Sequence, residues 1–191
     1  MWAIVGLGNP GRKYSATRHN VGFAFIKQVA QDWKVRLRKK ELSAKMGETQ
    51  RGEEKLVFVM PQTYMNRSGL AVKQIVERKK INDENLVVVY DDLDVPLGEI
   101  RIRKEGGPGT HKGMNSIVNE IKITTFPRIR IGIGPLPSEQ DATSYVLSPF
   151  AGEEKNLLAK SLKKAEEALE MILRGEIEKA MNQYNKKGRP L

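Results

Sequence analysis

The stretch Ile4-Val-Gly-Leu-Gly-Asn-Pro-Gly-Arg-Lys-Tyr-Ser-Ala-Thr-Arg-His-Asn-Val-Gly-Phe23 decides how the rest of the chain is read. It continues an apolar run, Trp2 to Gly6, that has the character of a buried strand, and it then breaks at a turn fixed by glycine and proline. It delivers His19 just ahead of a helix. That helix is expected to start near Asn20, with the Asn20 side chain as its cap, and to carry Phe23, Phe25, Ile26, Val29 and Ala30 to about Trp33. Near neutral pH an imidazole is the side chain best suited to take and return a proton. Two readings of His19 stay open from this stretch alone: a proton-transfer group on an active-site loop, or a ring that packs against or caps the helix.

Composition narrows the field. A chain of 191 residues fits one domain that can bury a core without staples. It has no cysteine, which excludes disulfides and thiolate metal sites, and two histidines, His19 and His111, too few for a typical zinc site. No apolar run approaches the ~20 residues that span a bilayer, and Met1 to Gly6 reads as a strand and not as a signal peptide. A cytoplasmic protein with no metal or other cofactor is expected. The 33 basic against 23 acidic side chains give a formal charge of +10. An excess of that size favours a polyanionic partner, and its spread along the chain suits a folded basic surface better than a disordered arm.

Outward from the first stretch, Leu42 to Gln50 and Lys55 to Met60 read as strands of a hairpin turning at Arg51 to Glu54. Ser68 is placed to cap a helix bearing Leu70, Val72, Ile75 and Val76, which makes it a cap sooner than a nucleophile. Leu86-Val-Val-Val-Tyr90 is a β-branched run of the kind buried on both faces of a sheet. Asp91 to Gly98 reads as a loop, Glu99 to Lys104 as a half-exposed strand and Glu105 to Gly113 as a second loop. A short helix over Asn115 to Ile121, a strand over Arg128 to Ile133, an amphipathic helix over Glu153 to Arg174 and a last helix after Gly175 follow, with residues 185–191 as a frayed tail. Strands alternating with helices predict one domain over 1–191, a three-layer α/β/α sandwich with a mixed, mostly parallel sheet.

In open α/β sheets ligands bind beyond the carboxyl ends of the strands. Asn9, Asn66 and Asp91 each follow a strand, and the loops carrying His19 and His111 are placed to reach the same rim. Each alone is an ordinary turn former; together they suggest hydrolysis by an activated water. The aspartate would fix the imidazole tautomer, leaving the other ring nitrogen as general base, while side-chain amides orient an acyl group or an oxyanion. Gly6-Leu-Gly8-Asn-Pro-Gly11 also matches the dinucleotide pattern G-x-G-x-x-G. That pattern needs a helix opening within the glycines, and here Arg12 to Arg18 is polar and non-periodic, so a dinucleotide site is disfavoured.

Taken in order, Val5-Gly-Leu-Gly-Asn-Pro-Gly11 with Tyr14 and Ala16-Thr-Arg-His-Asn20, Pro61-Gln-Thr-Tyr-Met-Asn-Arg-Ser-Gly69, Asp91-Asp-Leu-Asp-Val-Pro96, Gly109-Thr-His-Lys-Gly113 and Arg128-Ile-Arg-Ile-Gly-Ile-Gly134 closely resemble the bacterial-type peptidyl-tRNA hydrolases. The resemblance implies a monomeric, cytoplasmic, cofactor-free hydrolase. Its reaction would cleave the ester between a peptide and the tRNA 3′ ribose, returning tRNA to translation. Carried over by position, it implies His19 as general base and Asp91 as its support. Asn9 and Asn66 would hold the peptide portion, with Tyr14 and Tyr64 shaping the cleft, and Asn9 would tell a blocked from a free amino group. Arg103 and Arg130 would hold the tRNA 5′ phosphate. Many relatives have Asn where this chain has Lys112, which cannot accept a hydrogen bond, although its charge could meet an oxyanion or a phosphate. His111 would orient its loop or touch substrate. The competing reading is an inactive basic RNA-binding module that Lys112 has disabled.

Overall fold

The computed structural model describes residues 1–185. Seven strands form one sheet in the order β2-β3-β4-β1-β5-β7-β6: β1 Trp2–Gly6, β2 Lys39–Glu41, β3 Ala44–Arg51, β4 Glu54–Pro61, β5 Leu86–Pro96, β6 Ile100–Arg103 and β7 Arg128–Gly134. The inner strands β4, β1, β5 and β7 run parallel, and β2, β3 and β6 join antiparallel at the two edges. The β-branched runs of β1, β4 and β5 occupy the centre because only there are both faces covered.

Helices α1 Val21–Asp32, α5 Glu154–Leu173 and α6 Ile177–Tyr184 cover one face, burying Phe25, Ile26, Leu162, Leu169 and Ile172 against Ile4, Phe58, Ile102 and Ile131. On the other face α2 Ser68–Lys79 and α3 Lys112–Ile121 bury Val72, Ile75, Met114 and Ile117 against Val5, Val59 and Val88. This second core takes in no residue of β6 or β7. The helical layer therefore stops short, and at that end of the sheet Arg103, Arg128 and Arg130 line a cavity beside the carboxyl end of β5, with Arg128 almost wholly buried. The approach of α1 to β1 depends on Gly22, where an added Cβ would fall 2.4 Å from both the Leu7 nitrogen and the Val89 oxygen.

The strands and long helices expected from the sequence are present within a few residues, and five expectations change. β5 does not end at Tyr90 but runs to Pro96, with a register irregularity between Asp92 and Pro96. Gly132 makes the extension possible, because a Cβ there would sit 2.0 Å from the Pro96 oxygen. Asn20 does not cap α1; its side chain is spent on Asn9. Ser68 lies in the first turn of α2, with Arg67 at the cap, and its hydroxyl donates to the Met65 carbonyl. A short helix, α4 Ala142–Val146, capped by Asp141, stands between β7 and α5, where the sequence reading assigned no element. Asn185, placed in the frayed tail, pairs its amide with both the N–H and C=O of Ile102 on the edge strand β6; the rest of that tail, 186–191, lies outside the described residues.

Candidate active site

His19 is placed by a tightly tied loop. After β1, Gly11 takes φ 102°, a conformation that favours glycine, and two 3₁₀ turns, Arg12–Tyr14 and Arg18–Asn20, bring the chain to α1. The Thr17 hydroxyl donates to the Tyr14 carbonyl, and the Arg18 N–H donates to the Ser148 carbonyl. The Arg18 guanidinium lies over the rings of Tyr145 and Phe150, 4.4 and 4.7 Å from their centroids, and reaches both Glu154 oxygens at 2.8 Å. A planar guanidinium stacked on two rings while its Nη2 meets a carboxylate suits arginine and not lysine. With its neighbour pinned in this way, His19 has little freedom.

His19 Nδ1 lies 2.9 Å from both oxygens of Asp91, and His111 Nε2 lies 3.0 Å from Asp91 Oδ1. One buried carboxylate serves two imidazoles. Burial alone would push the Asp91 carboxyl up, but the charges and hydrogen bonds of His111 and His19 outweigh that and hold it far below the usual carboxylate range. The bonding assigns both tautomers. His111 is the N-cap of α3, its Nδ1 accepting the Met114 N–H at 3.2 Å, so its proton sits on Nε2 and faces Asp91. His19 likewise gives its Nδ1 proton to Asp91, so that in the neutral ring Nε2 is the acceptor, and it has no partner among the described residues.

His19, Asp91 and His111 have donor atoms within 4.8 Å of one another, so they also meet the distances of a three-ligand metal site. The protonation pattern argues against that use. A metal on His111 Nε2 would have to expel its proton while Nδ1 still accepts from Met114, leaving an anionic ring, or else break the cap of α3. The cluster is built to hold protons.

The remaining candidates meet at a cavity of about 860 Å³. Asn9, Tyr14, His19, Tyr64, Asn66 and Asp91 line it, and so do Arg103, His111, Lys112 and Arg130. Asn9 is held three times: its N–H and C=O pair with the Asn20 amide, and its Oδ1 accepts the Met65 N–H at 2.8 Å. Its side chain therefore turns Nδ2, a donor, to any ligand. Tyr14 and Tyr64 meet edge to face with centroids 6.5 Å apart. Lys112 opens α3 as an exposed residue on the cavity wall. Arg130 is engaged by Asp92, while Arg103 has no ion-pair partner among the described residues.

Sequence reasoning missed three groups. Arg128 is almost wholly buried, yet it lines the cavity and donates to the carbonyls of Gly107, at 2.6 Å, and Thr124, at 3.1 Å, tying down the loop before His111. Its alternation with Arg130 across Ile129 put both on one face and was the available signal. Asp92 reads as half of a turn-forming pair and gave none. Residues of α4 close one wall, and the Asp141 cap was their only cue.

A buried Asp–His pair with a free ring nitrogen, facing a cleft rimmed by amides and arginines on an α/β sheet, defines a hydrolytic site of the water-activating kind. The model of the peptidyl-tRNA hydrolase family matches residues 3–190, and the chain belongs to that family. It is 46% identical over 185 residues to the peptidyl-tRNA hydrolase of Alkaliphilus metalliredigens (strain QYMF), covering 97% of this chain and 100% of that one. The peptidyl-tRNA hydrolase of Synechococcus elongatus is 45% identical over 190 residues, covering 95% and 91%. A crystal structure of peptidyl-tRNA hydrolase from Acinetobacter baumannii superposes with a TM-score of 0.90 at 34% identity, covering 96% of this chain and 93% of that one.

Proposed function

We infer that the protein hydrolyses peptidyl-tRNA at the ester joining the peptide to the 3′ ribose, with His19 as general base. The single observation that carries the mechanism is the His19–Asp91 contact, which leaves Nε2 as a proton acceptor on the cavity. Water gives a proton to Nε2 as its oxygen attacks the ester carbonyl. The tetrahedral oxyanion then collapses, the bond to the ribose oxygen breaks, and the imidazolium returns the proton to that leaving oxygen. Asp91 offsets the charge on the imidazolium throughout. Asn66 and Lys112 are the donors we assign to the oxyanion or to nearby carbonyls of the substrate, and Tyr14 and Tyr64 to the walls against which the peptide lies.

The orientation of Asn9 supports a role in selecting blocked substrates. Its Oδ1 is already occupied, so it offers an N–H to the ligand. An acylated amino group brings a carbonyl for that donor to meet. A free ammonium brings only more donors and a positive charge, and would leave Nδ2 unpaired. Arg103 and Arg130, on the uncovered end of the sheet, are assigned to the tRNA 5′ phosphate. The chain acts in this reading as a cytoplasmic monomer and one domain. No helix among the described residues is long and apolar enough to cross a membrane. Nothing in the site favours an inactive RNA-binding module: the pair that activates water is assembled.

The test is release of tRNA from N-acetyl-aminoacyl-tRNA beside free aminoacyl-tRNA, with a chelator present. Fast, chelator-resistant release from the blocked substrate alone is expected. Equal release from both would remove Asn9 from its assigned role, and binding without release would favour the inactive module. For the phosphate, Arg103→Ala with Arg130→Ala should raise KM and lower the slope of log KM against log salt by about one to two ions. An unchanged slope would put the phosphate elsewhere.

A further inference from the structure

β5 hands its two consecutive aspartates to different work. Asp91 meets the imidazoles, while Asp92 turns to Arg130, with Oδ2 2.5 Å from Nε. Asp92 Oδ1 accepts the N–H of Asp94 at 2.9 Å, so both oxygens are held in place. The pair is largely enclosed, the side chains of Arg130 and Asp92 being 22% and 11% exposed. The other two arginines that line the cavity, Arg103 and Arg128, are not neutralised in this way. Arg128 is committed to main-chain carbonyls, and Arg103 has no carboxylate partner among the described residues. In a chain of charge +10, Arg130 is the one arginine lining the cavity with a carboxylate partner among the described residues, and that partner, Asp92, stands next in sequence to the residue that supports the proposed base.

We propose that Asp92 is a built-in counter-anion that an incoming phosphate must displace from Arg130, which makes it a specificity-determining residue for the RNA end. This rests on the assignment of Arg130 to a substrate phosphate. The competition is chemical. A terminal phosphate monoester carries about −1.5 to −2 charges near pH 7 and three acceptor oxygens, whereas a backbone diester carries one charge. A carboxylate held on both oxygens is a fair rival to a diester and a poor one to a monoester. Asp92 therefore taxes contacts with the middle of any nucleic acid and yields to the end of a strand. A basic protein that must ignore most cellular RNA gains selectivity in this way at some loss of affinity.

The experiment measures binding of a deacylated acceptor-stem RNA hairpin, with a 5′ phosphate or a 5′ hydroxyl, to wild type, Asp92→Asn, Arg130→Ala and the double variant. Asp92→Asn should bind the phosphorylated hairpin about three- to tenfold more tightly, with a salt slope steeper by about one ion. It should also gain affinity for duplex RNA without a terminal phosphate, and both gains should vanish when Arg130 is already alanine. Asp92→Ser, which keeps an acceptor for the Asp94 N–H, should show the same gain and covers the case in which the asparagine variant melts early. If Arg130→Ala weakens binding but neither Asp92 variant strengthens it, Arg130 holds phosphate without a rival and the inference fails alone. If Arg130→Ala changes nothing, the phosphate assignment itself is wrong. A gain that persists without Arg130 is a bulk charge effect and also overturns the proposal.

Discussion

Replacing His19 with alanine should lower the single-turnover rate of ester hydrolysis by about 10²–10⁴-fold while leaving the affinity for deacylated tRNA almost unchanged. The imidazole is the one group in the site with a ring nitrogen open to water and its other nitrogen tied to a carboxylate, and no second base stands in the same relation. His111 cannot replace it, because both of its nitrogens are engaged, one by Met114 and one by Asp91. The variant keeps His111 on Asp91 but removes a donor from a buried carboxylate, at a cost of about 1–3 kcal/mol in stability, so melting is measured alongside. The pH profile gives a second check. Burial opposes ionisation of Asp91, but His111 and His19 together depress its pKa, so it stays ionised through mildly acidic pH. A fall in wild-type rate at mildly acidic pH would then not come from protonation of the aspartate. For stability the sign follows the same way. A carboxyl whose folded-state pKa is depressed contributes stability above its unfolded pKa, about 3.9, and loses that contribution as pH falls further. A His19→Ala enzyme within tenfold of wild type would take His19 out of the mechanism.

The layers of the fold were legible because their signals are local. Leu86 to Tyr90 and Trp2 to Gly6 are apolar runs of the kind a doubly covered strand accommodates, and the spacing of Phe25, Ile26, Val29 in α1 and Leu162, Ala165, Leu169 in α5 states a helix face. The extension of β5 was not legible for a physical reason. Asp91-Asp-Leu-Asp has turn composition, and what holds it extended is β7, whose Gly132 lets the Pro96 carbonyl come close from across the sheet. Asn20 shows the same limit within the site. Its position before a helix reads as a cap, yet its amide is taken by the peptide of Asn9, eleven residues away, which a one-dimensional reading could not anticipate. The arginine pair and the histidines were found through residue type and motif order, whereas Asp92 has meaning only once Arg130 is beside it.

Asp91→Asn should cost nearly as much as loss of the base, about 10³–10⁴-fold in rate, although it changes a single oxygen to an amino group. Two ring N–H groups converge on this side chain: His19 Nδ1 within reach of both oxygens and His111 Nε2 on Oδ1. An ionised carboxylate only accepts, so it satisfies both rings at once. An asparagine has one accepting end. With its oxygen in the Oδ1 position, its NH₂ points at the His19 Nδ1 proton. Flipped, the NH₂ points at the His111 Nε2 proton, and relieving that contact would move the proton to Nδ1 and break the bond that caps α3. The first orientation is the easier to reach, since His19 can shift its proton to Nε2. That tautomer has nothing left to accept a proton from water, and the variant is inert with its geometry almost intact. Imidazole ¹⁵N shifts should show the exchange of protonated nitrogen on His19, together with unchanged binding of deacylated tRNA and little loss of melting temperature. Asp91→Glu separates charge from geometry: it restores an acceptor-only group on a longer arm and should recover part of the rate. If Asp91→Asn keeps the wild-type rate and the wild-type tautomer, the carboxylate does not set the state of the base.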